Sequence, residues 1–300
     1  MRSAGKASPI RVPAYAKLNL YLHVIGRRAD GYHELDSLVA FADLADELTV
    51  SRGGRLRLEL GGPFAADAGP AEHNLAMRAA TMLASAARVS AGARIRLIKN
   101  IPAAAGLGGG SADAAATLRA LMQLWRIATH EIDLAPLALE LGADVPVCLA
   151  DRPSFVGGMG ERIDAAPRLP EVGLVLVNPG VRLSTGEIFS RWRGAASAPA
   201  RFTNSPPTAE ALAEILADRA NDLTSPATAL APVIGEVLAI LAGLPGCRLA
   251  RMTGSGGTCF GLFDDRRAAA AAAQRIAGRT AWWVHAGRLR AGADHRHRSP

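Results

Sequence analysis

The chain has 300 residues, 49% hydrophobic and 20% charged, with 34 basic against 27 acidic side chains for a net charge of +7. That is enough apolar material for a full core and for one large or two ordinary domains. No uncharged apolar run reaches the ~18 residues of a membrane span, and three cysteines without CxxC spacing (Cys148, Cys247, Cys259) argue for buried thiols over bridges or metal ligands.

The first residues, MRSAGKASPI, lack the apolar stretch of a secretory signal, which points to the cytoplasm. Residues 10–25, IRVPAYAKLNLYLHVI, alternate with period two. Leu18, Leu20, Leu22 and Val24 share one face and Lys17, Asn19, Tyr21 and His23 the other, which predicts a strand with one buried face. GRRADGYHEL reads as a loop or hairpin connection, and DELTVS and RLRLEL as two short strands. A loop, GGPFAADAGPAEH, leads to a helix in NLAMRAATMLASAARV and then to a strand in ARIRLIKN.

That strand feeds PAAAGLGGGSADAAA, with four glycines within residues 106–110 ahead of a helix expected to begin near Ser111. Glycines let the backbone approach a ligand closely, and a helix N-terminus offers unpaired N–H groups and a positive dipole end, so the segment predicts a phosphate cradle. Ser111 is placed to cap the helix or to offer its hydroxyl to a phosphate or its metal. A GxxxxGK[ST] loop is excluded because no lysine follows, and a GxGxxG dinucleotide fingerprint because the spacing and the downstream acidic residue are missing.

Beyond it, LAPLALELG predicts a helix ended by Gly142, followed by Asp144 in a constrained turn ahead of Pro146. That aspartate suits either a proton acceptor or a helix cap. The second half contains a buried strand in VGLVLVNPG, a short helix in TGEIFSRW and a flexible, small-residue connection, AASAPARFTNSPPT. Two helices are expected near 208–219 and 228–243, then a strand, glycine turn and strand in CRLARMTGSGGTCFGLF, a helix in RRAAAAAAQRIAG and a last strand in AWWVHAG. Mixed helices and strands with hairpins indicate α+β. Roughly the last 12 residues read as a disordered basic tail. The basic side chains elsewhere are scattered singly and not interleaved with aromatics, so they fit anionic small molecules better than a nucleic-acid surface.

PAAAGLGGGSADAAA resembles the central motif of the GHMP kinases, and RMTGSGGTCFGLF their glycine-rich third motif. AYAKLNLYLHVIGRRADGYHEL and LGADVPVCL are similar to the 4-diphosphocytidyl-2-C-methyl-D-erythritol kinase branch of that family, which commonly has glycine where Ala104 and Ala105 stand. The resemblance implies a two-domain α+β fold, 1–160 binding ATP and 161–300 forming the second domain, with the active site in the cleft between them. It implies transfer of the ATP γ-phosphate, with Mg2+, to the 2-hydroxyl of a diphosphocytidyl sugar alcohol, in isoprenoid precursor synthesis by the non-mevalonate route.

By the same resemblance, Pro102, Ala103, Ala104, Ala105, Gly106, Leu107, Gly108, Gly109, Gly110, Ser111 and Ala112 hold the nucleotide. Asp144 is the base and Lys17 stands beside it to stabilise charge. Asn19 meets the acceptor's hydroxyls, Tyr32 and His33 contact cytosine, and Phe189 closes the other face of the base. Read without the family, Lys17 equally suits a wet strand face, and Tyr32, His33 and Phe189 ordinary packing or exposure. No tightly bound cofactor and no dedicated metal-ligand set is expected, with Ser111 the one protein contact to Mg2+. Lys99, just before the loop, is placed to approach the nucleotide. Rival readings are another GHMP kinase of the homoserine or mevalonate type, a basic nucleic-acid-binding α+β protein, and a nucleotide sensor without turnover.

Overall fold

The alternation that opens the sequence becomes β1 (Ile10–Arg27), but its second half is buried on both faces. Leu18, Leu20 and Tyr21 are 0% exposed, and Lys17, Asn19 and His23 no more than 6%. The expected wet face is covered by a segment distant in sequence. His23 Nδ1 lies 2.9 Å from the Ala198 carbonyl oxygen, and the Arg219 guanidinium sits 5.9 Å from the centre of the Tyr21 ring. The edge of β1 is closed as well: Leu22 N–H donates to Ala220 O and Asp222 N–H to Leu22 O, both at 2.9 Å.

The structure, a computed structural model, describes residues 8–278 and 280–291. They fall into two compact units that interleave along the chain. The first comprises residues up to Ala16, Leu44–Ala103 and Gly109–Ala150. In it the second half of β2 (His33–Gly53) runs antiparallel to β4 (Gly92–Ile98), and β3 (Arg57–Gly61) parallel to β4. Alternate residues Ala93, Ile95 and Leu97 of β4 are buried and Arg94 and Arg96 exposed, as a half-covered sheet requires. The helices of this unit are α1 (Leu75–Ala86), α2 (Gly109–Trp125), α3 (Leu134–Leu141) and α4 (Val145–Ala150). Asn74 and Asp133 cap α1 and α3 through side-chain oxygens. The alanine-rich face of α2 lets α1 pack closely against it.

The second unit comprises Lys17–Asp43, Ala104–Gly108 and the chain from Asp151 onward. The first half of β2 pairs with β5 (Ser154–Gly158), which pairs with β6 (Arg162–Ala165). A separate antiparallel sheet has the order β10–β7–β9–β8, from β7 (Gly173–Asn178), β8 (Leu249–Met252), β9 (Cys259–Phe263) and β10 (Trp283–Arg288). The helices α5 (Thr185–Arg191), α6 (Ala209–Ala217), α7 (Thr224–Leu230), α8 (Val233–Ala242) and α9 (Arg266–Ala277) complete it. Val175 and Val177 of β7, Ile234 and Val237 of α8 and Ala269 and Ile276 of α9 share its core.

Several elements differ from the sequence expectation. DELTVS is the end of one 21-residue strand. The strands β5 and β6 carry too few alternating residues to stand out in the sequence. The helix expected over 228–243 is two, because Pro232 cannot donate an N–H and drives Ala231 to an extended conformation. α2 begins at Gly109, two residues before Ser111, so Ser111 lies inside the first turn and is not its cap. The connection 192–207 is pinned: Ser197 N–H donates to Val24 O at 3.0 Å, and Asp36 accepts from Ala200 N–H and Arg201 Nε, both at 2.8 Å. At the C-terminus Leu289 is buried, and Arg290 N–H donates to Phe41 O at 2.8 Å. The tail expectation for 292–300 lies outside the described residues.

Candidate functional site

The strand β4 delivers the chain into the glycine loop, whose conformation only some residues tolerate. Gly106 and Gly108 have φ of +75° and +63°, in the left-handed region that glycine occupies without penalty. A Cβ on Gly106 would sit 2.6 Å from Gly256 O and 2.9 Å from Thr253 O. A side chain at Gly106 is therefore excluded by both conformation and space, and the loop lies against the turn at 253–257. Ala104 also has a positive φ, +52°, so the alanine at this position is held where glycine would be unstrained. The loop then runs directly into α2, whose first N–H groups have no acceptor within the helix.

Beside the loop, Lys17 N–H donates to Leu107 O at 2.8 Å. A Cβ on Gly108 would lie 3.2 Å from Lys17 Cβ, so backbone and lysine stem are in contact range. The Lys17 ammonium donates to Asn19 Oδ1 at 2.9 Å, Asn19 Nδ2 donates to Ser37 Oγ at 2.8 Å, and the Ser37 hydroxyl donates to Tyr21 O at 2.5 Å. Asn19 N–H donates to Thr253 Oγ1 at 2.8 Å. Asn221 steadies the second turn, with Nδ2 donating to Met252 O and Gly254 O at 2.8 and 2.9 Å. The fold thus brings Lys17, Asn19, the loop 104–108 and the turn 253–257 together within one unit.

A second cluster gathers the predicted aromatic contacts. The His33 and Phe189 rings stack with centroids 5.3 Å apart and planes 27° from parallel. Trp192, not singled out in the sequence, meets the His33 ring edge-on at 5.6 Å. Tyr32 is 63% exposed and outside this stack. Burial and the nearby Arg27 charge hold the His33 pKa below the ordinary imidazole value, so at neutral pH the ring keeps one donor and one acceptor nitrogen. Aromatic faces with such a pair suit a flat heterocycle.

The Lys99 ammonium stands beside the end of the loop, 3.6 Å from where a Cβ on Gly109 would lie. It bridges the carboxylates of Asp46 and Asp113, the latter at 2.5 Å, with all three side chains at most 5% exposed. Asp46 Oδ1 also accepts from Ile101 N–H at 2.8 Å and Asn100 N–H at 2.5 Å. Asp113 Oδ1 is buried without a hydrogen-bond partner. Burial, reinforced by the Asp46 charge and opposed by Lys99, raises the Asp113 pKa. Lys99, Asp46 and Asp113 form a buried ionic strut joining β2, the end of β4 and the first turns of α2. Its acidic members escaped the sequence reading because a single Asp in DELTVS or SADA carries no signal of burial.

In the first unit, Asp144 stands immediately before α4, half-buried, its carbonyl accepting from Cys148 N–H at 3.2 Å. Ser111 is half-buried in the first turn of α2. Among the described residues no group of three or more His, Cys, Asp or Glu side chains is arranged to hold a metal ion, and no helix is long and apolar enough to cross a membrane.

The chain is also similar to known proteins. The family model for the GHMP kinases N-terminal domain matches residues 74–152, and that for the GHMP kinases C-terminal domain matches 203–280. A 4-diphosphocytidyl-2-C-methyl-D-erythritol kinase of Paramagnetospirillum magneticum is 52% identical over 91% of this chain and 96% of its own length. One from Rhodospirillum rubrum is 50% identical over 92% of this chain and 91% of its own. A crystal structure of a 4-(cytidine 5'-diphospho)-2C-methyl-D-erythritol kinase matches with a TM-score of 0.77 and 39% identity, covering 95% of this chain and all of that one.

Proposed function

We infer that this chain, which belongs to the 4-diphosphocytidyl-2-C-methyl-D-erythritol kinase family of the GHMP kinases, phosphorylates the 2-hydroxyl of 4-diphosphocytidyl-2-C-methyl-D-erythritol at the expense of ATP, in the non-mevalonate route to isoprenoid precursors. It is an ATP-dependent kinase. Two details of the reaction, the base and the charge-stabilising lysine, are proposed from the residues.

Phosphoryl transfer asks the protein for positioning, charge stabilisation and a group that takes the hydroxyl proton. Backbone N–H groups along 102–112 hold the nucleotide phosphates. The acceptor's hydroxyl oxygen attacks the γ-phosphorus, its proton passes to the Asp144 carboxylate, and ADP leaves. Lys17 offsets the charge on the transferring group, and Asn19 orients the acceptor. The cytosine lies against Tyr32, His33 and Phe189. Mg2+ suits this site as a passenger of the nucleotide: Ser111 offers a hydroxyl, phosphate oxygens supply the other ligands, and the ion when bound neutralises phosphate charge. We retain 1–160 and 161–300 as the proposed domains and the cytoplasm as the proposed location.

The observation that carries this reading is Lys17: a lysine only 4% exposed, in mid-strand, donating to Asn19 Oδ1 and in contact range of a glycine loop that excludes a side chain at Gly106. A buried ammonium is costly unless it is held by polar groups, and this one is held where it borders the loop backbone. The test is coupled ADP release with a panel of alcohols. Turnover is expected with diphosphocytidyl-methylerythritol and not with homoserine or mevalonate. ATP binding without turnover of any panel member would overturn the assignment in favour of a sensor.

A further inference from the structure

We propose that Ser37 is a positioning residue for Lys17, acting through the side-chain amide of Asn19. The inference rests on the charge-stabilising role given to Lys17 above.

Ser37 lies on β2 and is 1% exposed. Its hydroxyl has one proton, and that proton is committed to Tyr21 O at 2.5 Å. Toward Asn19 the hydroxyl can therefore only accept. This forces the amide to present Nδ2 to Ser37, at 2.8 Å, and Oδ1 to the opposite side. There Oδ1 receives the Lys17 ammonium at 2.9 Å, a group that can only donate. The chain of bonds has one direction throughout: ammonium to amide oxygen, amide nitrogen to hydroxyl, hydroxyl to main-chain carbonyl. Asn19 is fixed from its own backbone too, by the bond from its N–H to Thr253 Oγ1.

An isolated asparagine amide has two senses of nearly equal shape. With the opposite sense, an NH2 group would face the ammonium, donor against donor, and the bond that sets the Lys17 ammonium against Asn19 would be lost. Ser37 removes that alternative because β2 holds its hydroxyl between the Tyr21 carbonyl and Asn19. A buried side chain off the phosphate loop thereby sets where the charge of Lys17 is delivered. Positional error at a phosphoryl-transfer site acts on turnover more than on binding.

The experiment compares Ser37→Ala, Ser37→Thr, Lys17→Met and the double variant Lys17→Met/Ser37→Ala in steady-state assays with ATP and diphosphocytidyl-methylerythritol. Thermal unfolding reports that each is folded. Ser37→Ala is expected to lower kcat by roughly 10- to 100-fold with KM for ATP unchanged. Ser37→Thr, which keeps the hydroxyl, is expected to restore turnover. In the Lys17→Met background the Ser37→Ala change is expected to add no further loss, because the two act as one unit. Should Ser37→Ala not fold, Ser37→Cys keeps the volume with a weaker hydrogen-bonding group and replaces it in every comparison. Wild-type kcat in Lys17→Met overturns the reading of Lys17, and this proposal with it. An inactive Lys17→Met beside a wild-type Ser37→Ala overturns the positioning role alone. So does an additive loss in the double variant, or a folded Ser37→Thr as slow as Ser37→Ala.

Discussion

Replacing Lys99 by methionine removes the ammonium that holds two buried carboxylates. The Asp46 side chain is 0% and the Asp113 side chain 2% exposed, so neither charge can turn to water. Breaking a buried pair by deleting one partner costs about 3–5 kcal/mol, because an uncompensated charge stays behind. Most of the loss belongs to Asp113. Asp46 keeps its bonds from Asn100 and Ile101 N–H, whereas Asp113 Oδ1 already lacks a hydrogen-bond partner. Thermal unfolding should therefore show a Tm lower by roughly 6–20 °C. Adding Asp113→Asn to Lys99→Met removes the orphaned charge and should recover about 2 kcal/mol. The loss also has a sign in pH. In the intact protein burial already raises the Asp113 pKa, opposed by Lys99; without the ammonium it rises further. A folded-state pKa above the unfolded one gives stability that is full at low pH and is lost as pH rises toward the folded value. The intact protein shares that loss up to about pH 8, so Lys99→Met should fall further behind it only above about pH 8. A loss below about 1 kcal/mol would refute the view of this cluster as a buried strut.

Four further outcomes follow from the proton acceptor, the loop and the aromatic cluster. Asp144→Asn should leave ATP binding intact and cut kcat by roughly 100- to 10,000-fold; a steady-state loss smaller than about tenfold would remove Asp144 as the proton acceptor. Gly106→Ala should abolish the tight approach to the turn at 253–257, since its Cβ would fall 2.6 Å from Gly256 O. Denaturant unfolding should show it destabilised, whereas Ala104→Gly, relieving a φ of +52°, should stabilise by about 0.5–1 kcal/mol. Phe189→Ala should raise KM for the cytidine-bearing substrate by roughly 5- to 150-fold, matching about 1–3 kcal/mol of base stacking, with KM for ATP unchanged. An equal rise in both KM values would place Phe189 in general packing.

Local rules carried much of the architecture. Hydrophobic periodicity located β1, α1, β4, α3, β7 and α9, because each buries one regular face or runs fully apolar. The glycine loop was visible because few residues other than glycine tolerate its dihedrals, and the break in GLPGCRLARMTGSGGTCFGLF was visible for the same reason. Boundaries and partners were less legible. Ser111 read as a cap because Gly109 and Gly110 are poor helix residues, yet α2 incorporates both.

What the residues decide by themselves is where the backbone must bend and which faces must be apolar, since those depend on near neighbours and on water. What only the tertiary structure decides is the state of the polar side chains. The same alternation that placed Lys17 and His23 on one face of β1 could not say that segments around residues 198 and 219 would cover it. Nor could it show that Ser37 would stand opposite Asn19, or that Lys99 would turn to Asp46 and Asp113. Those outcomes rest on hydrogen bonds and charges between residues 14 to 197 positions apart, and a bond of that kind leaves no periodic trace along the chain.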